Sequence, residues 1–371
     1  MIVLNKNKMD CSNYENCSNP VEIKIREAEN YIDLLMVGCW GVYCDQGVYQ
    51  IFKKGKSHTV IRNQKKVFEA LKHYVSHNNV KDMFLAGDNV YKIGLKQSKP
   101  ESSKEVASKE VEEENKLKTE FLKKYANLPD DAMYDISLQL SEGFKNCFAL
   151  SGISRFFIAI GNHDIENCEI LNTQINYESK LWNMPSTYYN VLYSLKDNTT
   201  INVIVIDTNM YEKEPLMCTG KPFPQEFIDK QEAWVKSQKG KADWTIVVGH
   251  IPYLANGHIK DKTKEKTPKI YNKALENLIN LASPQLYFCA DEHNQQFIFD
   301  KNNNRSLVIA GSGGTDLDDL VEQRIDGTQY AKKTPGFVSI KIQKENLEIT
   351  FYSTGTRIEF NVSIDKNGSI I

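Results

Sequence analysis

Four of the seven histidines, His163, His250, His258 and His293, fall in loops that also carry carboxylates and amides. The loops read GNHD (161–164), GH (249–250) running through IPYLANGH to His258, and ADEH (290–293). GCWG (38–41) and GDNVY (87–91) are two more loops of this kind. Each one alone has a plain explanation. Asp88-Asn89 makes a turn, GNHD caps a helix, and Asp291-Glu292-His293 is a polar turn, an acid/base pair or a metal site. Five together point to one shared polar site. Asp, Asn, His and Tyr are hard-to-borderline oxygen and nitrogen ligands, which suit iron, zinc or manganese better than a lone magnesium. A carboxylate between two such ions can bridge them. A two-metal cluster can clamp a phosphoryl group and generate a hydroxide nucleophile at neutral pH.

The elements that must position these residues are short apolar runs, one before each loop: LLMV (34–37), MFLA (83–86), FFIAI (156–160), IVV (246–248) and LYFC (286–289). Each ends at a glycine or alanine that releases the chain. Residues 60–77 have helical spacing at Val60, Val67, Leu71, Tyr74 and Val75, and this first long helix lies at or around the other three histidines, His58, His73 and His77. A further helical stretch is expected over 133–149, a strand over 201–206, and a helix carrying Gln231 and Trp234 before the IVV strand. Alternation of this kind predicts an α/β fold, in which the carboxyl ends of the strands form the ligand crevice. The tail differs. Residues 306–310, 336–343, 347–352 and 357–363 read as successive strands with little helix, an antiparallel sheet completing a sandwich.

With 371 residues, 41% of them hydrophobic, the chain can bury a sizeable core. Residues 1–30 read as an irregular leader, and 31–371 as a single domain with a charge-rich insertion near 92–130. The net charge of −2 gives no basic field for nucleic acid. No apolar run is long enough to span a bilayer, and the polar first thirty residues lack a signal-peptide core, so an intracellular protein is expected. Eight cysteines are spread along the chain. Cys39 and Cys44 are close enough to pair, but reduced thiols are the default expectation. Asp207, at the end of the 201–206 run, is expected to cap a loop, Trp40 and Trp182 to pack, and AGSGG (310–314) to turn.

On these motifs the chain resembles the calcineurin-like metallophosphoesterases, and within them the small purple (tartrate-resistant) acid phosphatases. GDNVY matches the GDxxY motif, GNHD the GNH[DE] motif, and the GHIP segment at 249–252 the GHxP motif. YESKLWNMPSTYYNV (177–191) and GFVSIKI (336–342) resemble flanking segments, so the likeness runs from about Asp33 to the end, apart from the insertion. The resemblance implies a four-layer α/β/β/α sandwich with two metal ions at the strand ends. Asp88 would bridge them. Tyr91 and His293 would hold the first ion, and Asn162 and His250 the second. His163 would contact phosphate and protonate the leaving oxygen, oriented by Asp164, and His258 would be a second acid or phosphate contact.

Two positions depart from the family pattern. Cys39 stands where an aspartate ligand of the first ion belongs, and Asp291 where a histidine ligand of the second belongs. Both can ligate, but a thiolate favours softer ions such as zinc and a carboxylate harder ones. The expectation is a metal-dependent phosphomonoesterase with a retuned cluster of Fe, Zn or Mn. Its substrate would be a phosphorylated small molecule or a phosphoprotein, and a protein partner would use the 92–130 insertion. The alternative is a catalytically dead scaffold or binding protein on the same fold.

Overall fold

The computed structural model describes residues 11, 14–41, 61–90, 152–166, 168–212, 215, 217–259, 270–315 and 317–371. In chain order the strands begin β1 (Val21–Arg26), β2 (Tyr31–Val37), β3 (Asp82–Ala86), β4 (Arg155–Ala159), β5 (Trp182–Asn183), β6 (Tyr189–Ser194) and β7 (Thr200–Val205). They continue with β8 (Trp244–Val248), β9 (Leu254–Ala255), β10 (His258–Ile259), β11 (Ile270–Tyr271), β12 (Leu286–Cys289), β13 (Gln295–Asp300) and β14 (Arg305–Ala310). The last are β15 (Asp319–Leu320), β16 (Thr328–Lys332), β17 (Gly336–Gln343), β18 (Asn346–Ser353) and β19 (Ile358–Asp365). Four α-helices accompany them among the described residues: α1 (Ile61–His77), α2 (Cys168–Ile175), α3 (Gln225–Ser237) and α4 (Lys273–Ala282).

Two large sheets result. One has the order β1-β6-β7-β8-β12-β14-β13-β16 and the other β19-β18-β17-β2-β3-β4-β5. The central strands β2, β3 and β4 are parallel to one another, as are β7, β8, β12 and β14. They are apolar at nearly every position because both of their faces are covered. Leu34, Met36, Phe84, Phe157, Ile246 and Phe288 face a core between the sheets. Their neighbours Leu35, Val37, Met83, Leu85 and Val247 pack with helix residues such as Val67, Leu71, Leu275 and Leu278. The layers are therefore helix, sheet, sheet, helix, as expected.

Three expectations change. Val21–Arg26 is not irregular: VEIKIR alternates, buries Ile23 and Ile25, and pairs in parallel with β6 at the sheet edge. Six residues bounded by polar sequence carry too short a pattern to stand out. In the tail, β17, β18 and β19 are antiparallel neighbours, but Arg305–Ala310 joins the other sheet and runs parallel to β12. Reduced thiols also fail as a default. Cys11 pairs with Cys17, and Cys168 with Cys218, while Cys39 and Cys289 are buried thiols. The second disulfide joins residues 50 positions apart, brought together only when α2 meets the loop before α3. The 92–130 insertion, the 133–149 stretch, Tyr91 and Cys44 lie outside the described residues.

Candidate metal and phosphate site

Strands β2, β3 and β4 of one sheet and β8 and β12 of the other present their carboxyl ends to the same region. The loops that follow interlock through backbone hydrogen bonds. Cys39 N donates to Gly87 O (3.0 Å), Gly41 N to Asp88 O (2.9 Å) and Ala290 N to His250 O (2.8 Å). Gly161 makes the approach possible. A Cβ there would fall 3.0 Å from the His250 ring and closer still to Asp88. A Cβ on Gly87 would lie 2.5 Å from His250 Nδ1.

Three of the loops carry a side chain on a left-handed backbone: Cys39 at φ 53°, Asp88 at φ 54° and Asp291 at φ 60°. Such conformations are uncommon for residues other than glycine, and strain of this kind gathers at functional sites. Aspartate tolerates the region better than most residues, so Asp88 and Asp291 fit it more comfortably than Cys39.

Cys39, Asp88 and His250 each offer one ligand atom, and the three atoms lie within 4.8 Å of one another, all buried. His250 Nδ1 is 2.7 Å from Ala86 O, which fixes its proton on that nitrogen. Its Nε2 then faces three oxygens: Asn162 Oδ1 at 3.2 Å, Asp88 Oδ1 at 3.3 Å and Asp291 Oδ1 at 3.5 Å. A ring nitrogen among three oxygens calls for positive charge between them. A second proton supplies it: burial opposes the charged ring, yet the Asp88 and Asp291 carboxylates outweigh that and push His250 up to about 10. A divalent ion supplies more. The donor set of one sulfur, one nitrogen and several oxygens fits a borderline metal.

The other expected site residues are placed as follows. Asn162 and Asp291 join the cluster through the contacts just given. His293 lies with Asp318, Nδ1 to Oδ2 3.9 Å, and is not one of the three clustered residues. His258 starts β10, and its side chain lies outside what is described. Asp164 is fully buried and serves as a staple. Its carboxylate accepts from Asn89 N (2.9 Å), Val90 N (3.0 Å), Gly161 N (2.8 Å) and Gln174 Nε2 (3.0 Å). It thus ties the GDN loop to the GNHD loop. Burial, and next the negative charge of Asp88, push its carboxyl up.

His163 is oriented by a residue that the motifs do not single out. Glu166 Oε1 lies 2.6 Å from His163 Nδ1. Burial opposes the imidazolium, but Glu166 and then Asp88 raise His163 above the ordinary histidine range. The signal in the sequence is the i,i+3 spacing in HDIE, which a single 3₁₀ turn over His163–Ile165 brings onto one face. Trp40 also has a specific partner, donating through Nε1 to Asn89 Oδ1 (2.8 Å), and it packs edge-on to Trp182. Gly313 N donates to Gly38 O (3.1 Å), so AGSGG is a turn braced against the first loop. Asp207 caps its loop as expected, accepting from Asn209 N (2.9 Å).

Beside the cluster is a cavity of about 300 Å³, lined by Asn162, Ile165, Glu166, Asn209, Glu212, Met217 and Gly220. Burial, and after it the charge of Asp291, raise the Glu212 carboxyl above its usual range. The Cys168–Cys218 disulfide anchors the turn that carries Met217 and Gly220 to α2.

A family model described as Calcineurin-like phosphoesterase matches residues 34–295. The chain belongs to that family. Within it, tartrate-resistant acid phosphatase type 5 of Rattus norvegicus is 25% identical over 247 residues, which cover 62% of this chain and 72% of that protein. The Homo sapiens protein of the same description is 21% identical over 250 residues, covering 62% and 73%. Among solved structures, GAP50, the anchor in the inner membrane complex of Plasmodium, matches with a TM-score of 0.61 at 15% identity, covering 91% of this chain and 89% of that one. The purple acid phosphatase PPD1 from yellow lupin (Lupinus luteus) seeds matches with a TM-score of 0.53 at 13% identity, covering 92% and 55%. At such identities the structural likenesses concern the fold, which is that of the metallophosphoesterases.

Proposed function

We propose that the protein is a metal-dependent phosphomonoester hydrolase working through a retuned two-ion cluster. The observation that carries this reading is the meeting of Cys39, Asp88 and His250 ligand atoms within 4.8 Å, from three different strand ends. Cys39, Asp88, Tyr91 and His293 would hold one ion, and Asp88, Asn162, His250 and Asp291 the other, drawn from Fe, Zn or Mn. When bound, such ions supply Lewis acidity toward phosphoryl oxygens and ease the ionisation of water. His163, held by Glu166, contacts the phosphoryl group and gives a proton to the departing alcohol oxygen. Asp164 keeps the Asp88 and Asn162 loops in register, and His258 is a candidate second acid or phosphate contact. The substrate is a phosphorylated small molecule or a phosphoprotein.

Elemental analysis after reconstitution, with turnover of an aryl phosphate by wild type, Asp88→Asn and His163→Ala, tests this. Close to two ions per chain, with turnover greatly reduced in both variants, supports it. Full activity in either purified variant would sink the assignment.

A second reading is a scaffold or binding protein on the same fold, with contacts made through the 92–130 segment. Two ligand replacements favour it, as does the fold likeness to a protein named as an anchor. Restoring Cys39→Asp together with Asp291→His separates the two. A dead site gains activity, whereas a working one mainly changes its metal preference. For location, the two disulfides support an oxidising compartment, inside the cell or beyond it, rather than a reducing cytosol. Among the described residues no helix is long and apolar enough to cross a membrane.

A further inference from the structure

The cavity beside the cluster has a one-sided chemistry. Asn209 lines it and is only 1% exposed. Its amide nitrogen donates to Asp207 Oδ1 (2.8 Å), while its Oδ1 has no hydrogen-bond partner among the described residues. A buried acceptor without a donor is costly, and a ligand can relieve that cost. The same wall holds the carboxylates of Glu166 and Glu212, and no lysine or arginine is among the described lining residues. Met217 and Ile165 supply an apolar side, and the Cys168–Cys218 disulfide holds this wall in place without a ligand.

We propose that this cavity receives the alcohol portion of the substrate and selects alcohols that bear an ammonium group, so that the preferred substrates are phosphorylated amino alcohols. The inference rests on the hydrolase reading and deepens it. The ammonium donates to Asn209 Oδ1 and lies among the carboxylates. Alcohols carrying carboxylates or further phosphates meet acceptors and like charge, and they are rejected. Hydrolysis then breaks the bond between phosphorus and the alcohol oxygen. Water supplies the new oxygen on phosphate, and a proton goes to the released amino alcohol.

The test is binding, which does not require turnover. Two chain-matched phosphonates, one ending in ammonium and one in carboxylate, are titrated calorimetrically into metal-reconstituted protein. The aminoalkyl phosphonate binds at least about tenfold tighter, and Glu212→Gln shrinks that ratio severalfold. Equal affinities, tighter binding of the carboxyalkyl compound, or no binding of either overturns the proposal. A preserved ratio in a protein that hydrolyses no phosphomonoester leaves the pocket standing and removes the hydrolase reading instead. Matched esters of an amino alcohol and a simple polyol extend the test, and a preference for the polyol in kcat/KM also overturns it.

Discussion

Glu166 Oε1 stands 2.6 Å from His163 Nδ1, so the imidazole of the GNHD loop is held by a carboxylate three residues further along. The bond fixes the orientation of the ring. Glu166→Ala should lower kcat by roughly 10–100-fold with little change in KM, as the loss of an orienting partner does. Glu166→Gln, which still offers an oxygen to Nδ1–H, should recover part of the loss. Steady-state kinetics on an aryl phosphate reads both, and a change in KM alone would place Glu166 in substrate binding instead.

Cys39 marks the site with sulfur, and sulfur has a spectrum. Cobalt(II) added to the metal-stripped protein should produce a near-ultraviolet thiolate-to-metal absorption band. Cys39→Ser should lose that band while still binding cobalt through Asp88 and His250. Cys39→Asp should shift preference from zinc toward iron and manganese. A band that survives in Cys39→Ser would assign the thiolate elsewhere.

Asp164 is the hinge pin of the two loops that carry Asp88 and Asn162. Asp164→Asn turns one acceptor oxygen into an NH₂ facing N–H donors. It should destabilise the fold by about 2–4 kcal/mol. Metal affinity should fall as well, because Asp88 and Asn162 are no longer held in register. Denaturant unfolding and metal titration measure the two effects separately.

Asp207 predicts a pH dependence. Burial pushes its carboxyl up to about 7 from an ordinary 3.8. Between those values the folded state keeps a proton that the unfolded state has released, so its contribution is full below about 4 and is lost as pH rises toward 7. Asp207→Asn removes this dependence. The unfolding free energy of the variant relative to wild type should rise from pH 4 to 7, by at most about 4 kcal/mol, and level off above. A difference that is flat with pH would show that Asp207 titrates normally.

Much of this architecture is legible because the five central strands are unbroken apolar runs ending at a small residue, with ligand-type side chains immediately after. That grammar locates Cys39, Asp88, Asn162, His250 and Asp291, and the structure brings them together. It cannot show what depends on three-dimensional closure. The resemblance makes Asp164 a helper for His163, but its oxygens are taken by amides of Asn89 and Val90, some 75 residues away. The resemblance makes His293 a ligand, but the Asp318 carboxylate beside its Nδ1 comes from a loop with no distinctive sequence. Part of the cavity wall comes from Asn209, Glu212, Met217 and Gly220, in a stretch with neither a strong period nor a motif. The Cys168–Cys218 bond is equally hidden, since spacing alone does not say which sulfurs meet.

The strand order carries a consequence for synthesis. β1 pairs with β6, yet β2, the next strand along the chain, belongs to the opposite sheet and lies beside β17. Val21–Arg26 must wait for Tyr189–Ser194 to emerge, and Tyr31–Val37 keeps an open edge until Gly336–Gln343 has left the ribosome. Neither sheet closes on a partial chain. Folding of this kind is slow and governed by distant pairings, and until its last strands arrive the nascent protein exposes sticky edges that chaperones must cover.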